Sequence, residues 1–268
     1  MTNCGVSQDL GKRSVDPPGN TTELDVDRIV GGNTVPSQTK YPWMVYLRSS
    51  PNQFTCGGSL INDRYVLTAS HCIYPDVSIT YYVTLGDLDF STPYETQAIR
   101  IPATALVHYH YRFKGNLPTD NDIALLRLLT PVNFAAYPHI RPICLPSGDR
   151  PVIGDTVVIA GWGRVKEKGQ TSAKMLEATT QVVSSLYCRK NAPAVNYSNF
   201  FCARSSRSNI CNGDSGGPLM YRNVRGYYQN VGISSSSNCR KSEGSAYAKT
   251  ASRCKARPVN APRESLSR

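Results

Sequence analysis

The sequence predicts an all-β protein, built as a barrel or a sandwich. Short runs rich in β-branched and aromatic residues recur along the chain, and clusters of turn-forming residues separate them. The 20 glycines and 18 prolines are spread over the 268 residues. Helical periodicity is scarce, and the length suits one domain or two small ones packed closely together.

The predicted strands fall into two groups along the chain. The first group comprises residues 43–47, 65–68, 81–85 and 123–128. The second group comprises residues 156–160, 181–183 and 231–233. Residues 131–151 lie between the groups and are rich in proline, which predicts a connection between two halves.

The leading segment, residues 1–28, is polar and rich in Pro, Asp, Thr and Gly, which predicts disorder. It has no apolar core of a signal peptide, and no run in the sequence is long enough to predict a transmembrane helix. Nine cysteines without the C-x-x-C spacing of metal sites indicate disulfides and an oxidising compartment. We therefore expect a secreted protein with a signal or a larger region upstream.

The formal net charge is +11, and much of it lies near the C-terminus. Residues 240–268 hold eight basic residues against two acidic ones. Residues 251–268, with Pro258 and Pro262, lack an apolar stripe at helical spacing and predict a disordered basic tail. A solvated end is the simpler interpretation, and polyanion binding is the alternative. No nucleic-acid-binding motif is present.

Four short motifs carry the chemistry. Cys-Asn-Gly-Asp-Ser-Gly-Gly-Pro-Leu at residues 211–219 sets a serine among small residues on a chain bend, where glycine lets the backbone turn. A serine hydroxyl needs a base and an orienting acid. Leu-Thr-Ala-Ser-His-Cys at 67–72 offers the base, and Asp-Ile-Ala-Leu-Leu-Arg-Leu at 122–128 offers the acid. Arg-Ile-Val-Gly-Gly at 28–32 precedes them.

Together and in this order, the motifs resemble those of the chymotrypsin/trypsin family of serine endopeptidases, over about residues 29–250. The order His, Asp, Ser is that of this family and differs from the subtilisin and α/β-hydrolase orders. The resemblance implies two antiparallel six-stranded β-barrels, about residues 29–140 and 141–250, with the active site in the cleft between them.

The resemblance also implies the catalytic roles. His71 would be the general base, Asp122 would orient its imidazole, and Ser215 would attack the scissile carbonyl. The backbone N–H groups of Gly213 and Ser215 would form the oxyanion hole.

Activation is expected to follow cleavage between Arg28 and Ile29. The new ammonium of Ile29 would enter the protein and pair with the carboxylate of Asp214, which family members use in this way. Before cleavage, Asp214 would lack this partner and the loop at Gly213 would be misplaced. The leading segment would then be a pro-segment.

The resemblance implies four disulfides, which are Cys4–Cys144, Cys56–Cys72, Cys188–Cys202 and Cys211–Cys239. The first of them would tether the pro-segment to the body after cleavage. Cys254 is left over, as a free thiol or an intermolecular link. The sequons at Asn20 and Asn196 predict glycosylation.

Two departures from the family concern the specificity pocket. Trypsin-like members carry an Asp six residues before the nucleophile, but here the position is Asn209, followed by Ile210. A neutral amide does not pair with a buried cation, so cleavage after Arg or Lys is disfavoured. The family's Ser-Trp-Gly wall is replaced by a run of serines, of which Ser235 and Ser236 are the candidate substrate-binding residues.

Other polar clusters are weaker candidates. His108 and His110 would share a strand face, and Asp87, Asp89 and Glu95 loosely match a calcium loop. Surface histidines and solvated acids are the preferred interpretations, so no metal and no cofactor are predicted.

Two functions remain in competition. The first is a secreted serine endopeptidase zymogen that acts on protein or peptide substrates, is activated by another protease and is a candidate target of a serpin-type inhibitor. The second is a non-catalytic homologue that binds or regulates a partner. Loss of a triad residue would mark the second class, and all three residues are present. A small disulfide-rich binding module fits neither the length nor the triad.

Overall fold

The computed structural model describes residues 4–7, 29–50, 53–92, 97–115, 117–148 and 151–250. The predictions on Arg28, Asn20, Glu95, Cys254 and the tail at residues 251–268 lie outside these ranges.

The described residues are almost entirely β-structure. The strands of the first half are β1 (Asn33–Thr34), β2 (Met44–Ser50), β3 (Gln53–Leu60), β4 (Tyr65–Thr68), β5 (Tyr81–Leu85), β6 (Ile99–Val107), β7 (Arg112–Lys114), β8 (Leu117–Asp120) and β9 (Ala124–Leu128). Those of the second half are β10 (Thr156–Gly161), β11 (Leu176–Val183), β12 (Phe200–Arg204), β13 (Pro218–Arg222), β14 (Tyr228–Ser236) and β15 (Gly244–Lys249). A 3₁₀ turn spans Ser70–Cys72, and one short helix, α1, spans Leu186–Arg189.

The first half closes into a six-stranded antiparallel barrel in the order β2-β3-β4-β9-β6-β5. Inward positions carry aliphatic side chains such as Val45, Leu60, Val83 and Leu126, which are fully buried. These side chains alternate with more exposed ones along β9, as expected of strands that line a barrel on one face.

The second half forms a sheet in the order β1-β11-β10-β13-β14-β15-β12, which an additional β11–β12 pairing closes into a second barrel. Its core contains Val157, Leu176, Leu219 and Tyr247. Strand β1 precedes the first barrel in sequence but pairs with β11 of the second. The all-β prediction with two six-stranded antiparallel barrels is confirmed.

Four disulfides join Cys4 to Cys144, Cys56 to Cys72, Cys188 to Cys202 and Cys211 to Cys239. The first attaches residues 4–7 to the body, where Gly5 donates its N–H to the Pro142 carbonyl at 2.8 Å and accepts from the Tyr228 N–H at 2.8 Å. In the described part of the chain, no helix is long and apolar enough to cross a membrane.

Candidate active site

Strand register places His71 beside Asp122. Strand β4 pairs with β9 so that Thr68 faces Ala124. His71 follows in the 3₁₀ turn after β4, and Asp122 lies two residues before β9. The Ser70 hydroxyl donates to the Ile123 carbonyl at 2.7 Å and fixes the two segments together.

The His71 imidazole and the Asp122 carboxylate form a close pair. His71 Nδ1 lies 2.7 Å from Asp122 Oδ2, and the His71 backbone N–H donates to Asp122 Oδ1 at 2.9 Å. Burial alone would lower the pKa of His71, but the charge and hydrogen bond of Asp122 outweigh it and raise the pKa above its ordinary value of 6.5. The Asp122 side chain is fully buried, whereas that of His71 is 23% exposed.

A third group holds the same carboxylate. The hydroxyl of Ser235, at the end of β14, donates to Asp122 Oδ2. Of the four consecutive serines at residues 234–237, Ser235 is therefore the one that binds the acid Asp122. Sequence reasoning assigned Ser235 to substrate binding alone and missed this contact, since nothing distinguishes one serine of the run from the next.

Ser215 and His71 line one cavity of about 170 Å³. Ser215 lies on the bend before β13, and its carbonyl accepts from the Gly57 N–H at 2.8 Å, which ties the bend to the first barrel. Among the described residues, no hydrogen bond joins the Ser215 hydroxyl to His71. Such contacts often tighten only when substrate binds.

The bend around Ser215 depends on glycine. Gly213 has φ of 102° and Gly216 has φ of 80°, a region that favours glycine. A Cβ atom at Gly216 would lie 2.3 Å from Thr68 Oγ1. In the part of the chain that the structure describes, the N–H groups of Gly213 and Ser215 make no backbone hydrogen bond, so both remain available as donors.

The carboxylate of Asp214 is buried behind the bend. Its oxygens accept from the Gly163 N–H at 2.9 Å and the Cys211 N–H at 3.0 Å. Burial raises the pKa of Asp214 from 3.8 to about 6, against the lowering effect of these two hydrogen bonds. A Cβ atom at Gly161 or Gly163 would lie 2.4 Å from this carboxyl group.

Ile29 lies in the core of the second barrel, whereas Val30 packs against Cys211 and Cys239. Ile29 is fully buried and packs in the same cluster as Leu176 and Leu219. The Val30 carbonyl accepts from the Asn209 N–H at 3.1 Å. Residues 29–30 therefore contact the chain segment that runs from Asn209 to Ser215.

Comparisons with known proteins agree with this architecture. The trypsin family model matches residues 29–255, which is most of the chain. The chain belongs to the trypsin family of serine proteases.

Curated relatives of the trypsin family support the assignment. Serine proteinase stubble of Drosophila melanogaster is 33% identical over 77% of this chain and 27% of its own length. Transmembrane protease serine 9 of Rattus norvegicus is 34% identical over 82% of this chain and 20% of its own length. Serine protease filzig of Drosophila melanogaster is 32% identical over 76% of this chain and 12% of its own length. The chain therefore spans about a quarter or less of these relatives.

Three of the four predicted substrate-binding residues line the cavity that contains Ser215 and His71. Ile210, Ser235 and Ser236 line the cavity, together with Ser237, which sequence reasoning did not single out. Asn209 is buried and does not line it.

The remaining polar candidates lie elsewhere. Asn196 is exposed on a turn, where its side chain accepts from the Ser198 N–H at 3.2 Å and donates to Asp120 Oδ2 at 3.1 Å. The Asp89 carboxylate is buried and accepts from the Ser91 N–H at 2.9 Å.

In the described ranges, one group of three potential metal ligands is present, formed by Cys56, His71 and Cys72. Both sulfurs belong to a disulfide, and the imidazole binds Asp122 through Nδ1. Since thiolates rather than disulfide sulfurs bind metals, this group does not fit a metal site.

Proposed function

We propose that this chain is a secreted serine endopeptidase zymogen, activated by cleavage between Arg28 and Ile29. The observation that carries the proposal is the hydrogen-bonded pair of buried Asp122 and partly exposed His71, because His71 lines the same cavity as Ser215. A nucleophile and a base at one cavity, with a buried acid hydrogen-bonded to the base, suit acyl transfer.

The reaction follows from these three side chains. His71 Nε2 takes the proton of Ser215 Oγ as this oxygen bonds to the substrate carbonyl carbon. When the C–N bond breaks, His71 returns the proton to the leaving amine. Water then attacks the acyl-enzyme by the same route, and a carboxylic acid and free Ser215 are released. Asp122 stabilises the imidazolium that forms in each step.

The oxyanion that develops on the carbonyl oxygen would bind the N–H groups of Gly213 and Ser215. Their freedom from backbone hydrogen bonds within the described chain supports this role. Removal of one donor in related chemistry costs roughly 10²–10³-fold in turnover.

Activation would give the buried carboxylate of Asp214 a positively charged partner. Cleavage supplies the Ile29 ammonium, and the burial of Ile29 in the second barrel supports its entry beside this carboxylate. An activating protease and a serpin-type inhibitor are the expected protein partners. Secretion agrees with the four disulfides, and the exposed Asn196 sequon suits a glycan. Polyanion binding by residues 251–268 remains a sequence prediction.

The alternative is a non-catalytic homologue with a binding role. A fluorophosphonate probe separates the two. In the test protein, residues 24–28 are exchanged for an enteropeptidase recognition sequence, and the new N-terminus at Ile29 is verified by sequencing.

The expected result is probe labelling of the cleaved protein, mapped to Ser215 by mass spectrometry, with none in the Ser215→Ala variant. Uncleaved protein is expected to label far more slowly. Absence of labelling after verified cleavage would refute the enzyme and support the homologue.

A further inference from the structure

The cavity beside Ser215 ends before it reaches Asn209. Ile210 and Ser237 line it, whereas Asn209 lies outside its lining and is only 4% exposed. None of the described residues that line the cavity is acidic. A cationic substrate side chain would therefore find no charged partner there.

The side-chain polar atoms of Asn209 are hydrogen-bonded to other residues of the protein. Its Nδ2 donates to the Arg240 carbonyl at 2.8 Å and to the Glu243 carbonyl at 3.3 Å. Its Oδ1 accepts from the Ile210 N–H at 2.9 Å and from the Ser245 hydroxyl at 2.5 Å. Two donors and two acceptor sites exhaust the capacity of a carboxamide, so none is left for a substrate.

The Ser237 side chain joins two segments that line the cavity. Its hydroxyl donates to the Ile210 carbonyl at 2.8 Å and accepts from the Cys239 N–H at 3.1 Å. Ile210 lies on one of these segments and Ser237 on the other, and both residues line the cavity. Ile210 is held in a buried position, with 4% of its surface exposed. The link holds the two segments together, and Ile210 directly follows Asn209 in the chain.

We infer that Ser237 and Ile210 determine specificity by closing the pocket, so that the cleaved bond follows a small uncharged residue such as Ala, Val or Thr. The inference rests on the proposed function and names the substrate class of the same site. A large aromatic side chain would compete with Ser237 and Ile210 for the space of a cavity of about 170 Å³, and a basic one would be buried without a partner.

The test uses the full chain cleaved at Ile29, with its active fraction set by fluorophosphonate labelling. Peptide substrates that differ only in the residue before the scissile bond carry Ala, Val, Thr, Leu, Phe, Lys or Arg. We expect kcat/KM for Ala or Val to exceed that for Phe, Lys and Arg at least tenfold. Ser237→Gly is expected to shift the Phe-to-Ala ratio of kcat/KM upward at least fivefold.

Two further variants sharpen the test. Ser78→Gly, an exposed serine outside the cavity, is the matched control and should leave the ratio unchanged. Asn209→Asp alone should not create Arg or Lys cleavage, because its carboxylate would face the carbonyls of Arg240 and Glu243.

The outcomes separate the two proposals. No labelling overturns the proposed function, and the inference with it. Labelling combined with a preference for Phe, Leu, Lys or Arg overturns the inference alone, as does labelling with no cleavage after any small residue. An unchanged Phe-to-Ala ratio in Ser237→Gly overturns the assignment of Ser237.

Discussion

The buried carboxyl of Asp214 should make the stability of the uncleaved chain fall as pH rises. Its pKa is raised from 3.8 to about 6, so the folded chain keeps a proton that the unfolded chain has already released. Stability from this group is full below about pH 4 and is lost as pH rises to about 6. At about 1.4 kcal/mol per pKa unit, the loss is about 3 kcal/mol.

Cleavage at Arg28 should abolish this loss. The Ile29 ammonium would pair with the ionised carboxylate, so the charged form is no longer penalised by burial. The assay is urea unfolding of the uncleaved and cleaved chains between pH 3.5 and pH 7, followed by fluorescence. The difference in unfolding free energy between the two forms should grow by about 3 kcal/mol across this range.

Two variants isolate the carboxyl from other titrating groups. Asp214→Asn should lower stability by a pH-independent amount, because its amide nitrogen would meet a backbone N–H, and should remove the pH-dependent part. Asp63→Asn, an acid whose side chain is 50% exposed, should keep the wild-type profile. If the uncleaved wild type and Asp214→Asn show parallel profiles, the reasoning about Asp214 is wrong.

The other predictions concern the His71–Asp122 pair, the buried side chain of Asn209 and the Cys4–Cys144 disulfide. The kcat/KM of the cleaved chain should fall as pH falls through the raised pKa of His71, since only a neutral imidazole accepts a proton; a flat profile between pH 5 and pH 8 would contradict this. Ser235→Ala should lower kcat about tenfold with little change in KM, because a hydrogen bond to a charged group contributes about 1.5–3 kcal/mol; steady-state kinetics against Ser78→Ala is the check. Asn209→Asp should destabilise the chain by about 1–3 kcal/mol, because two carbonyls lose their donor; an unchanged thermal midpoint would exclude this. In a Cys4→Ser, Cys144→Ser double variant, the leading segment should separate from the cleaved chain on a non-reducing gel, whereas the wild type should release it only after reduction.

Sequence patterns predicted the strands that follow ordinary β-propensity. Residues 65–68 and 81–85 coincide with β4 and β5. The sequence did not predict strand β3, because the strand contains two adjacent glycines, which have low β-propensity. Tertiary contacts require them, since a Cβ atom at Gly57 would lie 3.3 Å from the Gly217 backbone and one at Gly58 would lie 3.1 Å from the Leu67 carbonyl. The sequence did not predict strand β6 either, because the strand contains Pro102 and proline is disfavoured within strands.

The candidate site was partly accessible from sequence. The motifs predicted His71, Asp122 and Ser215 as candidate catalytic residues because their neighbours are distinctive. The contact of Ser235 with Asp122 and the link of Ser237 to Ile210 depend on the register shift between Ser234 and Ser236 and on the end of β14, which a run of repeated serines does not encode. A hydroxyl can donate or accept in many directions, so only the folded geometry assigns its partner.

The disulfide between Cys4 and Cys144 has a consequence for the fate of the leading segment after the proposed cleavage. After the proposed cut at Arg28, the two pieces would remain one molecule, joined by this disulfide beside the hydrogen bonds of Gly5 to Pro142 and Tyr228. Residues 1–28 would therefore travel with residues 29–250. A local reductant, rather than a second protease, would then set the body free to diffuse.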